Sequence, residues 1–103
     1  MMKFIFCTCN VSMLERVTNL LESYEVNDYQ IGDKVIAKSV KGDPRFDTAV
    51  WPGYNVTVTM QIVDSGKSEA ILKILRLMNK ANEANIDELL TVCSWEMENY
   101  FFD

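Results

Sequence analysis

The clearest pattern in the chain is the alternation over residues 55–63. Val56, Val58, Met60 and Ile62 fall on one side, and Asn55, Thr57, Thr59 and Gln61 on the other. Period two over eight residues predicts a strand with one buried face. Residues 3–9, Lys-Phe-Ile-Phe-Cys-Thr-Cys, also read as a strand, with Phe4 and Phe6 on one face and Ile5, Cys7 and Cys9 on the other. The period then changes. Met13, Leu14, Val17, Leu20, Leu21 and Tyr24 recur at helical spacing, and Ser12 with Glu15 fits a capping box, with Asn10 as a rival cap. Asn27-Asp28 ends that unit as a turn, and residues 29–38 follow as a second strand carrying Ile31, Val35 and Ile36. A second helix is predicted from Ser65 to about Asn82. Its stripe is Ile71, Ile74, Leu75, Met78 and Ala81, widened by Leu72 and Leu77, with Ser65 or Ser68 as its cap. A polar connector over 82–87 leads to a last strand at 89–95 and an aromatic tail, Tyr100-Phe101-Phe102-Asp103.

The order is β-α-β-loop-β-α-β within one domain spanning 1–103. It predicts an α+β, ferredoxin-like split βαβ sandwich: a four-stranded antiparallel sheet with both helices on one face. The first and third strands become central neighbours. The other sheet face is expected to carry Ile5, Cys7, Cys9, Thr57, Thr59, Cys93 and Trp95, a surface too apolar for water alone. Such a patch usually meets another subunit, so an oligomer is expected.

Charge and composition narrow the function. A net charge of −5 leaves no basic surplus for wholesale binding to nucleic-acid backbones. No stretch approaches the roughly 20 apolar residues of a membrane span, and the run Phe4 to Cys7 is too short for an export signal. The cytoplasm is the expected compartment. Three cysteines make an odd count, which argues against a disulfide framework. The chain has no histidine, which removes the commonest general base and any Cys-His or Ser-His pairing, so no enzyme is expected. Ser65-Gly66-Lys67-Ser68 looks like the end of a phosphate loop, but the glycine needed five positions before Gly66 is Gln61, inside a strand. If Cys7, Cys9 and Cys93 share a face, their thiolates would suit a soft ion such as Cu(I) or Zn(II), although a zinc site usually takes four ligands.

The one long loop, about 39–54, holds the strongest functional signal. Lys38, Lys41 and Arg45 concentrate positive charge beside Trp51, Pro52, Gly53 and Tyr54. Cations, a glycine-permitted backbone approach and an aromatic surface suit a phosphorylated or planar ligand. A solvated loop whose Trp51 and Tyr54 pack on a neighbouring subunit fits the same residues. Both readings stay open.

Two stretches carry a resemblance. Val11-Ser12-Met13-Leu14-Glu15-Arg16-Val17, after the opening strand, resembles the first helix of the PII-like signalling superfamily. Trp51-Pro52-Gly53-Tyr54-Asn55 is similar to the "WPG-x-N" stretch that closes the variable loop in PII-like proteins outside the nitrogen-regulator group. The resemblance implies a homotrimer with its sheets facing the threefold axis. It further implies a small effector, often an adenine nucleotide, bound in clefts between subunits near the base of the loop. The loop then acts on a protein partner, frequently a membrane transporter. Carried over by position, Lys38, Arg45, Trp51, Gly53 and Asn55 would border the cleft. The connector Asn79 to Asp87 departs from the nitrogen regulators, having no glycine and two acids, so ATP and 2-oxoglutarate recognition is not carried over. A metal-responsive module of the same architecture, related to the divalent-cation-tolerance proteins and using Cys7, Cys9 and Cys93, is the second reading.

Overall fold

The computed structural model describes residues 1–103. Strand β1 spans Lys3–Asn10, followed by a 3-10 turn at Val11–Met13 and helix α1 at Leu14–Ser23. Strands β2 (Tyr29–Val35) and β3 (Asn55–Ile62) flank the long loop. Helix α2 (Ser65–Ala81), a second 3-10 turn at Ile86–Glu88 and strand β4 (Thr91–Glu96) complete the order. All pairings are antiparallel, and the sheet order is β2-β3-β1-β4, with β1 and β3 central as expected.

One sheet face makes the core. Ile5, Cys7 and Cys9 of β1 lie opposite Met60, Val58 and Val56 of β3, and all six are buried against Met13, Val17 and Leu21 from the first helical unit and Ile71 and Leu75 of α2. This corrects the expected face of β1: Ile5, Cys7 and Cys9 point toward the helices, not away from them. Both sides of β1 are apolar, so polarity alone does not mark its inner side. Cys93 lies opposite Phe6, whereas Val92 lies opposite Cys7. Side chains of directly opposed residues share a face, so Cys93 sits on the other side of the sheet from Cys7 and Cys9. A shift of one residue in register would have reversed this.

The helix ends show how local chemistry sets the boundaries. Asn10 Oδ1 accepts from the Ser12 amide at 3.1 Å, so Asn10 caps the first helical unit. Asp64 Oδ1 accepts from the Lys67 amide at 3.0 Å, and Asp64, not Ser65 or Ser68, caps α2. Ser68 is buried and donates to the Ser65 carbonyl at 2.9 Å. Helix α1 ends in a Schellman motif: the Val26 amide bonds the Leu21 carbonyl at 2.9 Å and the Glu25 amide bonds Glu22 at 3.0 Å. Glu25 takes the left-handed position (φ 56°) that usually falls to glycine.

The face away from the helices carries Phe4, Phe6, Thr8, Thr57, Thr59, Cys93 and Trp95, with the Phe4 and Trp95 rings 5.0 Å apart. It is not wholly uncovered. The segment after β4 turns back over one end of it: the Met97 amide bonds the Met2 carbonyl at 3.0 Å, and the Tyr100 hydroxyl donates to Asp28. No helix is long and apolar enough to cross a membrane.

Candidate functional site

The functional candidate lies at the opposite end of the sheet, where β2 gives way to the loop, β3 begins and β4 starts. Beyond Val35 the chain does not simply wander. Ala37 and Arg45 form an isolated antiparallel bridge, with amide-to-carbonyl distances of 2.9 and 2.8 Å. Residues 46–53 close a second lobe: the Phe46 and Thr48 amides both bond the Trp51 carbonyl, and the Asp47 amide bonds Gly53. Gly53 has φ +85°, a conformation that side-chain-bearing residues seldom adopt, which accounts for glycine after Trp51-Pro52. An ion pair of 2.9 Å between Lys34 and Asp47 ties this lobe to the end of β2, and Lys34 also stands 5.7 Å from the centre of the Tyr54 ring.

Arg45 is the organising side chain. Only 13% of it is exposed. Its Nη1 donates to Asn55 Oδ1 at 3.1 Å and its Nη2 to Asp87 Oδ1 at 3.2 Å. Asn55, itself 2% exposed, donates onward to Thr8 Oγ1 at 3.2 Å, and Thr8 donates to the Val56 carbonyl at 3.1 Å. One guanidinium therefore joins the loop, the start of β3, β1 and the connector between α2 and β4. A planar fork with five donors suits this branching.

Beside Arg45 opens a recess of about 230 Å³ between the loop and the connector, bordered by Ser39, Lys41, Arg45, Ile86, Leu89 and Thr91. Its floor is set by Asn79 at the end of α2, whose amide pairs with Leu90 through bonds of 2.7 and 2.8 Å and so holds the start of β4 in place. On the loop side, Gly42 has φ +84° and lies so near Ile86 that a β-carbon there would come within 2.7 Å of the Ile86 methyl. The recess thus pairs apolar walls with cations. Lys41 takes part in none of the three ion pairs in the chain, and neither does Lys38.

The five positions drawn from the resemblance separate here. Arg45 and Asn55 meet directly. Lys38 is exposed next to the Ala37 bridge, outside the residues bordering the recess. Trp51 and Gly53 belong to the second lobe, where Trp51 is 38% exposed. Lys41 is grouped with the loop cations by sequence, but Asp87, Asn79 and Ile86 carry no signal of their own. Asp87 is 42 residues from its partner Arg45.

The three thiols do not assemble. Cys7 and Cys9 are buried on the helix side and Cys93 is exposed on the other, so the sheet divides the ligand set that the second reading needs. No cluster of three cysteine or carboxylate side chains is placed to hold a metal. A hydrogen bond with Cys9, together with burial, pushes the Cys7 thiol well above the usual thiol range, which keeps it protonated and inert.

Solved proteins that share this architecture include PII-like signalling proteins. CPII from Thiomonas intermedia K12, solved with ADP and bicarbonate bound, is similar over 95% of this chain and 89% of its own, with a TM-score of 0.64 at 13% identity. A PII-like signalling protein from Thermus thermophilus matches over 91% and 83%, with a TM-score of 0.61 and 14% identity. A DUF3240-family protein from Shewanella baltica matches over 98% and 94%, with a TM-score of 0.68 and 12% identity. No protein-family profile and no curated protein matches the chain. At these identities the likeness establishes the fold. The chain has the PII-like, ferredoxin-like architecture that its sequence resembles.

Proposed function

We propose that the protein is a non-enzymatic regulatory module. It binds an anionic small effector of the adenine-nucleotide type in the recess between the loop and the α2–β4 connector, and transmits occupancy through the loop to a protein partner. The observation that carries this reading is the Arg45 bridge. Because Arg45 bonds Asn55 on one side and Asp87 on the other, anything that competes for the guanidinium or attracts Lys41 changes how the loop is held. A ligand shifts a conformational equilibrium only by its differential affinity for the two states. A charged hub shared by loop and connector gives that difference a physical source. ADP bound to CPII, a protein of the same fold, supports an adenine nucleotide as the first ligand to try. The apolar and aromatic open face supports a homotrimer in which copies cover one another's sheets and complete the recess. Three free thiols fit a reducing, cytoplasmic setting.

The test is a thermal-shift titration of the full chain with ADP and AMP, with adenosine as the uncharged control. A ligand present at about 100 times its Kd stabilises by roughly 2.7 kcal/mol, a shift of about 11–22 °C for a domain of this size. Lys41→Glu should abolish the shift given by the nucleotides while leaving the unliganded Tm within a degree or two. A shift that is unchanged in Lys41→Glu, or equal for adenosine and ADP, rejects this site.

A further inference from the structure

We propose that the aromatic tip Phe101-Phe102-Asp103 of one copy docks into the groove between α2 and β4 of a second copy. The groove is an open cavity of about 530 Å³ with Leu72, Leu75, Leu90 and Val92 as its apolar floor. Arg76 and Lys80 stand on its rim, and neither enters any of the ion pairs in the chain; Glu83 lies on the same rim. The tip matches that chemistry: two phenylalanines, 78% and 94% exposed, followed by an aspartate. Phenylalanine contributes about 150–250 Å² of burial when it finds a pocket, so two adjacent exposed rings are a surface waiting to be covered.

The chain cannot fill its own groove. Its tail is pinned to the open sheet face, first by the Met97 amide on Met2 and then by the Tyr100 hydroxyl on Asp28, just ahead of β2. The groove is on the helix face along β4, at the other edge of the sheet. Phe101 and Phe102 lie with Phe4, Gln30 and Gln61 on the open face, so reaching their own groove would mean giving up the Tyr100 anchor and rounding the edge of the sheet. The second copy is therefore the occupant. The pinned root lowers the cost of binding, because Phe101 and Phe102 follow directly on an anchored Tyr100. A contact of this kind is heterologous, tip into groove, and in a closed ring every tip finds a groove. The inference rests on the oligomer in the preceding reading and not on its effector.

The experiment places p-benzoylphenylalanine at position 102 of the full-length chain. That protein is mixed with isotopically labelled wild type, equilibrated and irradiated, and the products are mapped by mass spectrometry. Crosslinks should join unlabelled to labelled chains and fall within residues 72–80 and 89–92. Using an Arg76→Glu/Lys80→Glu acceptor should lower their yield at least about fivefold, and an Asp103→Lys donor should restore it. Crosslinks confined to one chain, crosslinks onto the open sheet face, none at all, or a yield indifferent to charge reversal would each overturn the docking. Sedimentation of the same samples separates the two ideas. A stable oligomer lacking these crosslinks rejects the docking alone, and a lone subunit at micromolar concentration rejects the oligomer as well.

Discussion

Replacing Arg45 with alanine tests whether the hub is as unequal as its burial implies. The side chain serves two acceptors in very different surroundings. Asn55 is 2% exposed, so removing the guanidinium leaves its Oδ1 dry and without a donor. An unsatisfied buried acceptor costs about 1–3 kcal/mol, and the shielded methylene stem adds lost packing. The Asp87 carboxylate, by contrast, is 74% exposed. An ion pair with one partner in solvent contributes about 0.2–1 kcal/mol. The expectation is a loss of ~2 kcal/mol for Arg45→Ala and under ~1 kcal/mol for Asp87→Ala. For a domain of this size that corresponds to a fall in Tm of about 8–16 °C for the first and less than about 8 °C for the second. The assay is urea unfolding followed by circular dichroism, at one fixed protein concentration so that any subunit association cancels. A double-mutant cycle should couple Arg45 with Asn55 strongly and Arg45 with Asp87 weakly. If Asp87→Ala costs as much as Arg45→Ala, or if the Arg45–Asn55 coupling vanishes, the hub is not organised by burial and the reasoning fails.

Three further outcomes follow from particular residues. Glu25→Gly should stabilise the chain by about 1 kcal/mol, because Glu25 holds a left-handed C′ position at φ 56°; a destabilised variant in the same urea assay would show that its side chain matters more than its backbone. Under native conditions iodoacetamide should leave Cys7 and Cys9 unmodified, since both are buried and Cys7 is held as a thiol, while Cys93 reacts only where a neighbouring copy leaves the open face uncovered; rapid labelling of Cys7 and Cys9, read by intact mass, would contradict the placement of β1. The hydrogen bond to Asp28 raises the Tyr100 hydroxyl above its ordinary 10.0. The protonated form is the one favoured by the fold, so its contribution is full below pH 10 and is lost as pH rises through the elevated value. Tail release, followed by proteolysis after Tyr100, should therefore begin above pH 10 and occur at neutral pH in Tyr100→Phe; equal protection of the variant would remove the Asp28 anchor from the account.

The sequence carried the element order, because each element repeats its own period long enough to be read. β3 shows this best: Val56, Val58, Met60 and Ile62 are all buried, and their intervening partners are polar. β1 shows the limit. Phe4 and Phe6 on one side and Ile5, Cys7 and Cys9 on the other are equally apolar, so alternation identifies the strand without saying which side meets the helices. Pairing register is a relation between distant segments, and the grouping of Cys93 with Cys7 failed on a single step of it. Caps were legible as chemistry but not as choice, since Asp64 and Ser65 are both competent and only the backbone path selects Asp64. In the site, the loop cations and the glycine at Gly53 were visible. Asp87 was not, because an exposed aspartate in a polar connector looks like any solvated carboxylate until the fold brings Arg45 to it.

The central claim is that a nucleotide-sized anion binds where the loop meets the α2–β4 connector. Amide NMR of the isotopically labelled protein titrated with ADP tests it most directly. Saturable shifts should cluster at Ser39–Lys41, Arg45 and Ile86–Thr91. Spectra that stay unchanged at millimolar ADP, or shifts confined to the α2–β4 groove or the open sheet face, would contradict it.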